Sequence, residues 1–247
     1  MIVVAALRSL ATYISVALYV LLVGPPFLLI ALAVGSPAIL YRVGLLGVRL
    51  GLALSGIRVQ VTGRDHLQRN RAAVYAVNHA SNVEPPILFD VLSDLFPRLR
   101  ILYKAELRKL PILTRAFDLA GFVPLERGNR DQSLPAIEGA ARALRHGNSF
   151  LIFPEGTRSR TGELLPFKKG GFILALKGQA PVVPVAIWGA RAAMRKGSPI
   201  IYPVMVEVRI GVPVETAGLT LDDRDRVIAD VRQRVESMLR ELQQGGA

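Results

Sequence analysis

The amino-terminal part of the chain is a long apolar stretch. No charged residue occurs between Arg8 and Arg42, and no acidic residue occurs before Asp65. A continuous helix from Ser9 to Tyr41 would be about 50 Å long at ~1.5 Å per residue, which exceeds the ~30 Å hydrocarbon core of a bilayer. The pattern therefore predicts that this stretch is bent or divided.

Gly24, Pro25 and Pro26 interrupt the stretch, and prolines inside a helix remove amide donors and clash with the preceding turn. We predict two helices, 9–23 and 27–41, each too short to cross a bilayer alone. They form either a kinked single span or a helical hairpin that enters one leaflet, and we favour the hairpin. A cleaved signal peptide and a buried helical pair of a soluble core are the alternatives.

From about residue 57 the pattern changes to short β-branched runs separated by helical stretches. The predicted strands are 57–62, 72–77, 100–103, 121–125, 149–153, 181–188 and 204–211, and the predicted helices are 86–95, 110–118, 131–145, 170–177 and 221–243. Residues 204–211 alternate between apolar and polar, which predicts a strand at an edge of the sheet. The alternation of strands and helices predicts an α/β fold with a mixed, mostly parallel sheet covered by helices.

Composition limits the possible chemistry. The chain has 31 Lys and Arg against 19 Asp and Glu, and its net charge of +12 favours negatively charged partners. The absence of cysteine excludes disulfides, thiolate metal sites and a cysteine nucleophile. Nucleic acid is disfavoured as a partner because the single Trp and the scattered Tyr residues form no basic and aromatic platform.

The first candidate site follows the strand predicted at 72–77. His79 stands at the carboxyl end of that strand, where ligand-binding and catalytic groups of α/β sheets collect. If the turn folds back, Glu84 can accept the Nδ1 proton of His79 and leave Nε2 as a base. The alternative is a surface turn in which Asn78, His79 and Ser81 cap the following helix.

The second candidate site is the sequence Phe-Pro-Glu-Gly-Thr-Arg-Ser at 153–159, directly after another predicted strand. Gly156 allows close approach of the backbone, Thr157 offers a hydroxyl, and the planar guanidinium of Arg158 matches the oxygens of a phosphate. The alternative is a polar loop in which Glu155 and Arg158 form an ordinary salt bridge.

Together with Gly-Phe-Val-Pro-Leu-Glu-Arg at 121–127 and Val-Pro-Val at 183–185, these segments resemble the motifs of the glycerolipid acyltransferase family. The best-known members of that family are the 1-acylglycerol-3-phosphate acyltransferases. The resemblance covers roughly 60–215, and the match at 153–159 is complete. One residue departs from the family's Asn-His-x4-Asp pattern, because Glu84 stands where the family usually has Asp.

The resemblance implies that an acyl group passes from an acyl thioester, on coenzyme A or acyl carrier protein, to the sn-2 hydroxyl of lysophosphatidic acid, giving phosphatidic acid. His79 would be the general base and Glu84 would orient it. The residues expected to bind substrate are Glu155, Gly156, Thr157, Arg158, Arg127 and Lys104. No metal and no bound cofactor are implied.

We therefore divide the chain into a membrane-associating helical segment, 1–57, and an acyltransferase domain, 58–247. The expected location is the cytoplasmic face of the inner or plasma membrane, and the expected partners are membrane lipid, a lysophospholipid acceptor and an acyl thioester donor, with acyl carrier protein as a candidate. Two alternatives remain. One is a sister acyltransferase acting on glycerol-3-phosphate or a lyso-aminolipid, and the other is a weakly catalytic lipid-binding protein.

Overall fold

Two long apolar helices form the amino-terminal part of the protein. The structure, a computed structural model, describes residues 2–125 and 130–245. Helix α1 spans Ile2–Val34 and helix α2 spans Pro37–Ser55, and the two pack along each other as a hairpin. Both are long and apolar enough to cross a membrane by length and composition, and both leave most of their surface exposed.

The hairpin turns at a different place from the one predicted. Helix α1 continues through Pro25 and Pro26, so the predicted break at 24–26 and the predicted helices 9–23 and 27–41 are wrong. The chain reverses instead after Gly35, whose φ of 67° is left-handed, and Pro37 opens α2. A left-handed glycine just past a helix lets the last carbonyl groups of that helix be paired. Proline suits the first position of the next helix because the N–H that it lacks would be unpaired there in any case.

Packing on both sides of the prolines explains why α1 is not broken there. Before them, the Tyr19 hydroxyl donates a hydrogen bond to the Val43 carbonyl of α2 at 2.7 Å. After them, Leu28 and Ala31 are buried. Tertiary contacts of this kind override a local preference of about 3 kcal/mol per proline.

A seven-stranded sheet forms the centre of the remaining chain. Its strands are β1 (Arg58–Thr62), β2 (Val74–Val77), β3 (Leu99–Lys104), β4 (Val123–Leu125), β5 (Ser149–Ile152), β6 (Val182–Trp188) and β7 (Met205–Ile210). Their spatial order is β1-β7-β6-β2-β5-β3-β4. Every neighbouring pair is parallel except β6 and β7, which are antiparallel. The predicted mixed, mostly parallel sheet is confirmed.

Strand β7 lies inside the sheet, between β1 and β6, so its predicted position at an edge is wrong. The alternation that suggested an edge arises because Val206, Val208 and Ile210 are buried while Glu207 and Arg209 are only partly covered. Alternation in a strand reports which face of the sheet is packed. It does not report whether the backbone groups on either side are paired.

Helices cover both faces of the sheet, as expected. Helices α3 (Glu84–Val91), α4 (Pro111–Leu119), α5 (Arg130–Arg145), α6 (Gly170–Gly178), α7 (Ala190–Ala193) and α8 (Arg224–Gly245) complete the order of elements. On β2, Tyr75 packs into the core under α3, whereas Val74 and Ala76 pack into the core under α5 and α6. Strands β6, β2, β5, β3 and β4 run parallel, so their carboxyl ends meet at one edge of the sheet.

Candidate active site

The turn after β2 folds back and brings His79 against Glu84. Glu84 is the first residue of α3 and is fully buried. Its Oε2 lies 2.6 Å from Nδ1 of His79. Its Oε1 accepts hydrogen bonds from the backbone N–H groups of Ala80, at 2.9 Å, and Ser81, at 3.0 Å. Three donors therefore converge on one buried carboxylate at the amino terminus of a helix, where negative charge is stabilised.

This geometry determines which nitrogen of His79 is free. An ionised carboxylate can only accept, so Nδ1 carries the proton and Nε2 keeps its lone pair. Burial raises the pKa of Glu84, while the hydrogen bonds from His79, Ala80 and Ser81 act in the opposite direction. The imidazole stacks on Phe153, with ring centroids 4.1 Å apart, and its side chain is 15 % exposed. Glu84 and Phe153 thus hold the ring in place, while part of its surface stays open to solvent.

The alternative interpretation of this turn, as a cap for α3, is wrong. Val83 occupies the cap position, and no side chain makes a cap hydrogen bond there. Asn78 instead bonds to both backbone groups of Ile187 in β6, at 2.8 and 3.0 Å. The Ser81 hydroxyl donates to the Met194 carbonyl at 2.7 Å. These side chains tie the turn to β6 and to the loop beyond α7.

Segment 153–159 holds the backbone of His79 from a second direction. Oε1 of Glu155 accepts the His79 N–H at 2.6 Å, and Oε2 accepts the Leu165 N–H at 2.9 Å. The Ser159 N–H donates to the His79 carbonyl at 2.7 Å. The pKa of Glu155 is raised to about 7, chiefly by burial and in smaller part by the nearby Glu84, against the lowering effect of the two backbone hydrogen bonds. Among the described residues, Glu155 and Arg158 form no salt bridge, so that alternative is also wrong.

Residues 156–158 of the segment lie nearer the surface than Glu155. Gly156 has a left-handed φ of 69°, and a Cβ there would lie 2.9 Å from the side chain of Lys168. Thr157 is exposed, and the half-buried guanidinium of Arg158 has no partner within the described part of the chain. Nζ of Lys196 donates to the Arg158 carbonyl at 2.9 Å and lies 3.5 Å from the Thr157 hydroxyl. We call Arg158, Lys168 and Lys196 the basic rim.

Lys196 is a residue that sequence reasoning missed. It follows α7, far from segment 153–159 along the chain, and belongs to none of the recognised motifs. No sequence signal distinguishes it from the other lysines. The fold alone brings it to Thr157.

Of the two remaining candidates, only Lys104 lies in the described part of the chain, farther along the same edge. Lys104 ends β3, next to β5 in the sheet, and its exposed ammonium pairs with Glu106 at 2.7 Å. Arg127 falls outside the described residues. The Val-Pro-Val sequence at 183–185 lies in the core of β6, beside β2, where it supports the strand that leads to His79.

An apolar cavity of about 450 Å³ adjoins the turn. It lies between the α1–α2 hairpin and residues 82–86, its lining surface is mostly apolar, and three glycines of α2, Gly44, Gly47 and Gly51, are among the lining residues. In the described parts of the chain, no group of three or more histidines and carboxylates could hold a metal ion. The site thus combines an imidazole whose Nε2 is free to accept a proton, a basic surface and an apolar space.

Residues 58–188 match the family model described as Acyltransferase. The chain belongs to this acyltransferase family. The resemblance found in the sequence is therefore confirmed.

Named relatives agree with this family assignment. The chain is 35% identical over 184 residues to the 1-acyl-sn-glycerol-3-phosphate acyltransferase of Limnanthes douglasii, covering 72% of this chain and 63% of that protein. It is 31% identical over 195 residues to the 1-acyl-sn-glycerol-3-phosphate acyltransferase alpha of Mus musculus, covering 78% and 67%. The alignment thus spans less than two thirds of the length of the Limnanthes relative.

A solved structure shows the same fold. The crystal structure of the 1-acyl-sn-glycerophosphate (LPA) acyltransferase, PlsC, from Thermotoga maritima superposes with a TM-score of 0.82, at 24% identity and with 98% of each chain covered. Because the match covers nearly the whole of both chains, the likeness includes the helical hairpin as well as the sheet.

Proposed function

We propose that this acyltransferase family member moves an acyl group from an acyl thioester to the sn-2 hydroxyl of lysophosphatidic acid, giving phosphatidic acid. The observation that carries the proposal is the His79–Glu84 pair at 2.6 Å, held beside segment 153–159 at one edge of the sheet. The names of the curated relatives support the choice of reaction.

In the proposed reaction, Nε2 of His79 takes the proton of the acceptor hydroxyl as its oxygen attacks the thioester carbonyl. Glu84 accepts the Nδ1 proton throughout and stabilises the imidazolium that forms. The tetrahedral intermediate then expels the thiolate, which receives the proton from His79. The acyl group passes directly from donor to acceptor.

The phosphate of the acceptor would bind at the basic rim. The guanidinium of Arg158 can contact two phosphate oxygens at once, and Lys196 and Lys168 add positive charge on either side of it. Gly156 and Thr157 offer a close backbone approach and a hydroxyl. Glu155, whose two oxygens accept backbone N–H groups, would act by positioning His79. Arg127 and Lys104 stay as proposed electrostatic contributors.

The hairpin gives the substrate a route to the site. Two exposed apolar helices favour association with a membrane, and an amphiphilic acceptor could then reach His79 laterally from the bilayer. The cavity beside residues 82–86 has the apolar lining that an acyl chain requires. We propose that the protein lies at the cytoplasmic face, where coenzyme A or acyl carrier protein can deliver the acyl group.

The test is purified full-length protein in detergent with a panel of lyso-acceptors and both thioester donors, with products identified by mass spectrometry. We expect phosphatidic acid from lysophosphatidic acid, and no product from His79→Ala. The matched control is His146→Ala, because His146 is an exposed histidine just past α5 whose hydrogen bonds to described residues stay within the last turn of that helix. Product from glycerol-3-phosphate or a lyso-aminolipid alone would identify a sister activity, and no product from any acceptor would favour lipid binding.

A further inference from the structure

Three apolar side chains are exposed where the chain leaves β3. The strand ends at Lys104, and a 3-10 turn, Ala105–Lys109, leads into α4. Leu107, Leu110 and Ile112 are 40, 54 and 62 % exposed. We call these three residues the β3–α4 patch. Single exposed leucines are common in soluble proteins, whereas clustered apolar side chains on a surface mark interaction sites.

The patch is continuous with the membrane-associating hairpin. Ile112 and Arg115 line one groove, of about 300 Å³, together with residues of α1: Pro25, Leu28, Leu29 and Leu32. On α1, Leu29 is itself 68 % exposed. The apolar surface of the hairpin therefore does not end at the hairpin but extends onto the loop and helix that follow β3.

Uncompensated positive charge flanks the patch. Arg108 pairs with Asp118, and Lys104 pairs with Glu106. Lys109 and Arg115, by contrast, have no ion-pair partner among the side chains that the structure describes, which are those of residues 2–110, 112–125 and 134–245. Apolar side chains flanked by unpaired basic residues are typical of elements that lie in the interface of an anionic bilayer, because the apolar groups enter the acyl region while the cations stay at the headgroups.

The patch also lies on the same side of the sheet as the candidate active site. Strand β3 runs parallel to β5, and β5 to β2, so the loop after Lys104 lies at the edge where His79 and Glu155 stand. A membrane that covers the patch would therefore lie against the open edge of the sheet. Contact through the hairpin alone leaves the tilt of the sheet free, whereas contact that extends onto the patch determines it.

We propose that the β3–α4 patch is a second membrane contact, which inserts into the interface of an anionic lipid bilayer and holds the active-site edge of the sheet at the lipid surface. This proposal rests on the proposed association of the α1–α2 hairpin with the membrane. Continuity with α1 and the unpaired basic residues favour lipid as the occupant over a second copy of the chain.

The chain contains no cysteine, so single introduced thiols can be labelled without background. Full-length Leu110→Cys is labelled with an environment-sensitive fluorophore and reconstituted with phosphatidylglycerol and phosphatidylcholine, with and without lipids that carry a quencher on the acyl chain. Leu21→Cys, on an exposed position of α1, reports the hairpin. Val212→Cys is the matched control, because Val212 is 55 % exposed but follows β7 at the opposite edge of the sheet.

We expect blue-shifted, quenchable emission from positions 21 and 110 and water-like emission from position 212. Shifted emission at 21 with water-like emission at 110 would overturn the second contact while leaving the hairpin as the anchor. Water-like emission at both positions would contradict the proposed membrane association itself. A shift at 110 that disappears in nanodiscs holding one copy each would assign the patch to contact between copies and overturn the proposal.

The charge contribution is tested separately. With phosphatidylcholine alone, quenching at position 110 should fall, and added salt should lower it in the anionic membrane, because screening weakens attraction to the headgroups. In the double variant Lys109→Gln with Arg115→Gln, quenching should become the same in both lipid compositions. Persistent dependence on anionic lipid in that variant would contradict the role given to these two residues.

Discussion

Glu84 is where the chain departs from the family pattern, and its replacement tests the proposed mechanism most directly. In Glu84→Gln the remaining side-chain oxygen is retained by the N–H groups of Ala80 and Ser81, so the amide nitrogen faces Nδ1 of His79. An amide N–H can only donate, and Nδ1 must then accept. The imidazole proton moves to Nε2, which is no longer a base. The wrong tautomer in a catalytic histidine costs about 10⁴ in kcat.

Glu84→Asp measures how closely the turn is adapted to glutamate. The shorter side chain withdraws the carboxylate by about one carbon–carbon bond, ~1.5 Å. Since the observed contact is 2.6 Å, the gap to Nδ1 would grow to about 4 Å if the backbone of α3 does not move. Misplacement of about 1 Å costs about 100-fold in rate, so the expected kcat lies between those of the wild type and Glu84→Gln.

The assay is the initial rate of phosphatidic acid formation, with the tautomer of His79 read independently from its ¹⁵N chemical shifts. The matched control is Asp90→Asn, which removes the same charge from the same helix at a half-exposed residue paired with Arg49. Thermal unfolding of each variant separates loss of catalysis from loss of fold. Full activity in Glu84→Gln with an unchanged tautomer would refute the orienting role. A faster Glu84→Asp enzyme would refute the fit of this turn to glutamate.

Three further predictions concern segment 153–159. Arg158→Ala should raise the acceptor KM by roughly 10- to 150-fold, the equivalent of 1.5–3 kcal/mol for a charge-assisted hydrogen bond, and leave the donor KM unchanged; equal effects on both substrates, or the same effect from exposed Arg160→Ala, would contradict this. Because the pKa of Glu155 is raised to about 7, its contribution to stability is present below pH 4.5 and is lost as the pH rises to 7. The free energy of unfolding of the wild type, measured by urea titration, should fall over that range by about 3 kcal/mol relative to that of Glu155→Gln. If the two proteins show the same dependence of this free energy on pH, Glu155 makes no such contribution. Gly156→Ala should lower activity and Tm, because its φ of 69° disfavours a side chain and its Cβ would displace Lys168; an unchanged Tm would count against the strain.

Much of the fold could be predicted from the sequence because its signals are local. The strands and helices from residue 57 onward are present with ends that move by a few residues, and the α/β class follows from their alternation. The position of β7 could not be predicted, because pairing on both sides of a strand depends on partners far away in the chain. The turn of the hairpin could not be predicted either, because the packing of Tyr19 and Ala31 against their neighbours outweighs the local cost of Pro25 and Pro26.

For the candidate site, too, some features could be predicted from the sequence and others depend on the tertiary structure. The sequence alone pointed to His79 and segment 153–159 as candidates, because motifs at the carboxyl ends of strands are contiguous and their residue types carry a definite chemistry. Only the tertiary structure shows that both oxygens of Glu155 accept backbone N–H groups, that Lys196 reaches Thr157, and that the β3–α4 patch continues the surface of α1. These relations join segments that are distant in sequence. They depend on the order of strands in the sheet, which no local pattern encodes.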